Sequence, residues 1–221
     1  MKNEVSSPIY DINKSFEYNV TYGPFFDGEL PSQDEGSADE TFIGIKVHSL
    51  FGIAACPLTS NARFVELMSH LGFDILTYKS VRSIEWHGNA FPHWLYANML
   101  NQLTLSDIDQ ELKTQTKPFE NDDVTMANSF GVHSLQPRYW QGDFEDAQQK
   151  MGDGKVLILS LMPTPIEGQT LVDDASTLGK LGAQTSAKVF EINLACPNTD
   201  GGKGLIYEDL DLSLKLCTAL K

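Results

Sequence analysis

A chain of 221 residues, 41% hydrophobic and 21% charged, carries enough apolar surface to bury a core, and its length fits one domain. The formal charge of −14, from 30 acidic against 16 basic residues, repels phosphate backbones and anionic headgroups, so nucleic acid and membrane are not expected partners. No run reaches the roughly 18 to 20 apolar residues of a membrane span, and the polar start Met1-Lys2-Asn3-Glu4 lacks a signal-peptide core, so the expected location is cytoplasmic.

The three cysteines, Cys56, Cys196 and Cys217, are odd in number and form no CxxC pair. Neither a disulfide framework nor a cysteine zinc site is expected, and any special cysteine is a free thiol. The histidines His48, His70, His87, His93 and His133 offer neither an HExxH motif nor an i, i+4 pair that grips a metal from one helix face. No metal is expected.

Residues 1–40 contain Pro8, Gly23, Pro24, Gly28, Pro31 and Gly36 before an acidic stretch, and read as an extended N-terminal arm. The regular fold is expected over 41–221. Residues 42–47 alternate apolar and polar as a half-buried strand does, and 50–55 form a short apolar run expected to be fully buried. Phe64, Leu67, Met68 and Leu71 then fall at helical spacing, with Ser60 or Asn61 as N-cap and Gly72 as the stop. Residues 73–78 read as a strand that delivers Lys79 and Ser80 at its C-terminal end.

The stretch 90–125 holds a helix candidate near 93–105 and an acidic segment at 120–123, and reads as an excursion over the mouth of the fold. The strand and helix rhythm then returns: helix at 143–151, strand at 155–161, helix at 173–182, strand at 188–194 and helix at 210–220. Such alternation implies an α/β protein with a parallel sheet, either a barrel or an open doubly wound sheet. No repeat of solenoid length is present.

Working residues of parallel α/β proteins sit at the C-terminal ends of strands. Four exits carry polar or reactive groups: Ala55-Cys56-Pro57-Leu58-Thr59-Ser60, Thr77-Tyr78-Lys79-Ser80, Asn128-Ser129-Phe130-Gly131 and Asn193-Leu194-Ala195-Cys196-Pro197-Asn198. These exits, with Gly88-Asn89-Ala90-Phe91-Pro92 between the second and third, stand in the order of the dihydroorotate dehydrogenases, and the chain resembles that family over roughly residues 50–221. The arm lies outside this motif match. The resemblance implies a (β/α)8 TIM barrel, of which this chain holds roughly the first half, and FMN-dependent oxidation of dihydroorotate to orotate in pyrimidine biosynthesis.

Residue by residue, the resemblance implies that Cys196 is the catalytic base of the soluble class, whose membrane-associated counterparts carry serine there. Lys79, Asn128, Phe130, Gly131, Val132, Asn193 and Asn198 are implied to bind substrate. Ala55, Cys56, Lys79, Ser80, Ser160 and Asn193 are implied to line the flavin, small residues at 55 and 56 letting the backbone approach the ring. A thiol with an ordinary pKa near 8.5 has a usable thiolate fraction without extreme tuning. Asparagines fit the carboxylate and amide edges of a pyrimidine-like ring without adding charge. Glu191 shares a strand face with Asn193 and, if buried, needs a partner that the sequence does not name.

Three positions depart from the family pattern: Cys56 where glycine is common, Ala195 where serine is frequent, and Ser134 in place of an asparagine that often contacts substrate. They leave the identity of the substrate open. A complete barrel takes about 250 residues and usually holds phosphate with loops after its last strands, and about four of eight units are found here. Open sheet edges in a half-barrel predict pairing with a copy, hence a homodimer, or with a missing fragment. Two other readings stand beside the first: a dihydropyrimidine dehydrogenase-like flavin oxidoreductase, and an inactive half-barrel acting as an assembly module.

Overall fold

The computed structural model describes residues 8–31, 36–97, 104–107, 111–117, 125–195 and 205–221. Its centre is a run of apolar strands that sequence periodicity anticipates. The strands β3 (Gly52–Ile53), β4 (Ile75–Val81), β8 (Val156–Leu161) and β9 (Val189–Ile192) form one parallel sheet in the spatial order β3-β4-β8-β9. The helices α2 (Ala62–His70), α3 (Pro137–Met151), α4 (Leu171–Gly182) and α5 (Leu210–Ala219) follow these strands in turn. Parallel neighbours need such crossovers, and strands kept in sequential order are the arrangement of a (β/α) barrel.

Every residue of β4 and β8 is buried, because both faces are covered. On one face Leu76, Tyr78, Leu157, Leu159 and Leu161 pack against Val65 and Met68 of α2, Trp140 and Phe144 of α3, and Leu178 of α4. On the other, Ile75, Val156 and Ile158 pack beneath Val47. Local chemistry starts each helix where the core needs it: Asn61 caps α2 by accepting from Phe64 N, Pro137 opens α3, and Thr170 and Asp173 form a capping box on α4. Asp143 of α3 then ties two elements together, accepting from Ala62 N at 2.8 Å and from the Tyr78 hydroxyl at 2.6 Å.

Four expectations change. The alternation over 42–47 belongs to an antiparallel hairpin, β1 (Glu40–Phe42) with β2 (Ile45–Val47), because Ile43 and Gly44 both take positive φ, 49° and 79°, as a two-residue primed turn requires. The run 50–55 is not fully buried, since among the described residues β3 stands at the edge of its sheet beside β4, and Leu50 and Phe51 just before it are 58% and 73% exposed. The helix candidate at 93–105 begins as a strand, β5 (Trp94–Ala97), because its aromatic residues find antiparallel partners in β6 (Thr114–Gln115) and β7 (Thr125–Asn128); residues 98–103 lie outside the described residues.

The fourth change concerns the arm. Residues 16–22, expected as extended chain, form the helix α1 (Phe16–Tyr22), started by Ser15, whose hydroxyl accepts from Tyr18 N. The physical reason is a packed apolar face: Tyr10 and Phe16 join Phe64 and Phe130 in one aromatic cluster. Asn19, fully buried, holds the segment together, accepting from Asp11 N at 2.8 Å and donating to Asp11 O and Ser15 O, each at 2.9 Å.

Candidate functional site

The exit of β4 is irregular. Its pairing with β8 runs in step from Ile75 to Tyr78, then shifts before Val81, and this bulge falls on Lys79 and Ser80. Bulges of this kind re-aim side chains. Ser80 Oγ stands 2.9 Å from Ser160 Oγ on β8, Asn193 Nδ2 donates to Ser80 Oγ at 3.3 Å, and Ser160 Oγ donates to Glu191 Oε1 at 2.7 Å. A hydroxyl has one proton. Ser160 gives its proton to Glu191, so Ser80 must be the donor to Ser160, and the file runs one way from Asn193 through Ser80 and Ser160 to Glu191. Asn193 Oδ1 accepts from Ala195 N at 3.0 Å, which fixes the amide at the head of this file.

Three residues implied to line a flavin, Ser80, Ser160 and Asn193, are therefore in direct contact across adjacent strands. Glu191, left without a partner by sequence reasoning, is the end of the same file. Both serines are buried, at 1% and 0% exposure, so their mutual hydrogen bonds satisfy groups that would be costly alone.

Lys79 is 9% exposed and borders a cavity of about 250 Å³ between α1 and the end of β4, shared with Phe16, Glu17, Trp86 and His133. Its charge reaches Cys56 and His133. Burial pushes the Cys56 thiol up, and a hydrogen bond from Leu58 and the Lys79 charge pull it back only in part, so the thiol stays protonated. Ala55 and Cys56 are half-buried at the β3 exit, where Cys56 N donates to Thr59 Oγ1 at 3.2 Å.

Asn128 ends β7, an antiparallel strand of the rim, and is exposed rather than standing at an exit of the parallel sheet. The loop that follows is held by its own backbone. Phe130 O accepts from Asn89 N at 3.0 Å, Gly131 O from Trp86 Nε1 at 3.1 Å, and Val132 O from Arg82 Nε at 3.1 Å. The side chains of Phe130 and Val132 are buried in packing. Gly131 and Val132 both take positive φ, 72° and 54°; a Cβ on Gly131 would sit 2.7 Å from Asn89 N, and a β-branched residue in that region is strained. Ser134 is engaged too, accepting from Arg82 N at 2.9 Å and donating to Leu135 O at 3.0 Å.

Cys196 and Asn198 lie outside the described residues. Sequence reasoning missed Arg82, whose fully buried guanidinium bonds Thr164 Oγ1 as well as Val132 O and lies 4.6 Å over the Trp86 ring. It locks the rim loop to the exit of β8. It also missed a cluster of Glu17, His93 and His133, whose ligand atoms lie within 4.8 Å of one another. No spacing could reveal that cluster, because its members come from three separate segments.

Sequential parallel strands, each followed by a helix and carrying polar groups at their C-terminal ends, define this molecule as part of a (β/α)8 barrel. Its comparisons agree. No family model matches the chain. A dihydroorotate dehydrogenase of Dictyostelium discoideum is 33% identical over 224 residues, covering 98% of this chain, so the alignment takes in the N-terminal segment that the motif match had left out. Two dihydroorotate dehydrogenase structures from Eimeria tenella, one ligand-free and one in complex with ferulenol, superpose on 86% of the chain with a TM-score of 0.59 each, at 19% and 18% identity, and show the shared fold. The chain is thus similar in sequence to a dihydroorotate dehydrogenase over nearly its whole length, and its fold is similar to that of two others. It spans 60% of the length of the Dictyostelium relative and 48% and 45% of the two solved chains. Among the described residues no helix is long and apolar enough to cross a membrane.

Proposed function

We propose that this chain supplies the flavin-ring and substrate side of a site that oxidises dihydroorotate to orotate with FMN, in a cytoplasmic enzyme of pyrimidine biosynthesis that works as a homodimer. The observation that carries the reading is the file Asn193–Ser80–Ser160–Glu191 at the ends of three neighbouring parallel strands, in a chain whose relative is a dihydroorotate dehydrogenase. The polar set fits a flavin: the Ser80 and Ser160 protons are committed inside the file, Asn193 Nδ2 keeps a second proton that suits an acceptor on the polar edge of the isoalloxazine ring, and the buried Lys79 supplies a cation where low dielectric strengthens its field. A flavin held there would supply the hydride acceptor.

Cys196 takes the proton from the dihydropyrimidine ring as the hydride leaves it, so the substrate loses one proton and one hydride and becomes orotate. Lys79, Asn128, Asn193 and Asn198 orient the substrate; Phe130, Gly131 and Val132 form a loop held rigid by Asn89, Trp86 and Arg82. Ala55, Cys56, Lys79, Ser80, Ser160 and Asn193 would line the flavin. A cysteine base favours the soluble class, in which the reduced flavin passes its electrons to a separate acceptor such as fumarate, NAD or a quinone. The engagement of Ser134 with Arg82 N and Leu135 O keeps a second substrate class in view, a dihydropyrimidine such as dihydrouracil, because Ser134 occupies a position that often contacts substrate.

The test is anaerobic mixing of the natural protein that contains this chain, carrying its flavin, with dihydroorotate or with dihydrouracil. Dihydroorotate should bleach the flavin and yield orotate, and Cys196→Ala should retain flavin yet lose this bleaching by about a hundredfold or more, the usual worth of a positioned base. Bleaching by dihydrouracil alone transfers the reading to the dihydropyrimidine class. Protein without flavin leaves the assembly-module reading.

A further inference from the structure

His93 and His133 are 2% and 6% exposed, and each has an Nε2 atom without a hydrogen-bond partner among the described residues. Buried polar nitrogens are normally satisfied, so two such atoms beside each other and beside a carboxylate call for an occupant. His133 Nε2 lies 3.4 Å from Glu17 Oε1. The rings are already oriented: His133 stacks on Phe16 at 4.5 Å and His93 on Phe130 at 4.8 Å, with the imidazoles edge to face 5.2 Å apart.

We propose that Glu17, His93 and His133 form a binding site for a divalent transition-metal ion, with zinc as its occupant, that clips α1 to the rim of the barrel. Two imidazoles and one carboxylate are a known zinc donor set, and imidazole selects zinc over magnesium or calcium, which prefer oxygen. His93 Nδ1 stands 3.4 Å from Ser129 O; an N–H directed there leaves Nε2 as the lone-pair atom, the outer support that metal-bound histidines usually have.

Zinc bonds of about 2.0 to 2.1 Å put tetrahedral ligand atoms roughly 3.4 Å apart. The His133–Glu17 separation already has that value, and the widest separation in the cluster, at most 4.8 Å, must close by roughly 1.4 Å. The Glu17 side chain, 62% exposed, has the freedom to do so. Lys79 opposes a cation here, since its charge acts on His133, and the Glu17 carboxylate offsets it. Glu17 and His133 both border the cavity that Lys79 borders, so the ion would hold α1 as its wall. This inference does not depend on the dihydroorotate reading.

The full chain, stripped by chelator, is titrated with Co²⁺ for its visible spectrum and with Zn²⁺ by calorimetry. Expected is one equivalent of each, no response to Mg²⁺, a melting temperature raised by Zn²⁺, and affinity lowered about tenfold or more in Glu17→Gln and further in His133→Gln. Glu17 is exposed, so its variant tests the site without threatening the fold. Absence of saturable Zn²⁺ binding overturns the proposal, and so does binding by Glu17→Gln and His133→Gln equal to wild type, which would put the ion on other thiols or imidazoles.

Discussion

In the parallel sheet, Leu157, Leu159 and Leu161 of β8 meet Val65, Met68 and Phe144 on helices that alternate with the strands along the chain. The rim above joins residues far apart in sequence: Phe16 with Phe130, Trp86 with Ser134, and Asn61 with Val20. The sheet is built from repeated units, each placing its own apolar face. The rim is built from loops and a short helix that gain order only by touching one another, and it carries the cavity and the strained Gly131–Val132 turn. Stability and chemistry are thus divided, with the polar file at their boundary.

The sharpest way to break that division is in the core. Leu159 has no exposure, and Leu159→Ala should cost about 2 to 5 kcal/mol by lost transfer energy and residual cavity, read as a lower urea midpoint for the whole protein. In the rim, Asn19→Ala removes a side chain that satisfies three backbone groups, and orphaned groups of this kind cost about 1 to 3 kcal/mol. Its effect should be local: faster amide exchange over residues 8–25 with unchanged protection of β8. If β8 loses protection equally, sheet and rim are one cooperative unit and the comparison fails.

A smaller effect sharpens the sheet side. Hydrogen bonds from the Thr170 hydroxyl and backbone N–H hold the Asp173 carboxyl below the usual aspartate range. A carboxylate with a depressed folded pKa contributes stability that is present above its unfolded pKa and is lost as pH falls through the folded one. The wild type should therefore melt slightly above Asp173→Ala at neutral pH, and the gap should close in acid. A gap independent of pH would show that the capping box acts through the Thr170 hydroxyl alone.

This division also explains what could be read from sequence. Strand β8 follows from its continuous apolar run and helices α2, α4 and α5 from apolar residues at helical spacing, with Asn61 marking the start of α2. The hairpin β1–β2 was read as one strand because Ile43 gives no sign of its positive φ. Helix α1 was hidden by prolines and glycines around it and depends on the distant Phe64 and Phe130. At the site, Lys79, Ser80 and Asn193 were legible as strand-end polar residues, and Ser160 only through the family resemblance. The link from Ser160 to Glu191, the Arg82 lock and the Glu17–His93–His133 cluster were not, because each depends on how separate segments meet.

Lys79 lies where the bulged strand, the cavity and the polar file converge, so it tests the central claim most directly. In anaerobic stopped-flow mixing of the natural protein containing this chain with dihydroorotate, Lys79→Ala should retain less flavin than wild type. The flavin that remains should be reduced at least about tenfold more slowly, since the variant lacks a cation acting in a low-dielectric site. Equal flavin content and an equal rate of bleaching in Lys79→Ala would contradict the assignment of these strand ends as the flavin and substrate site.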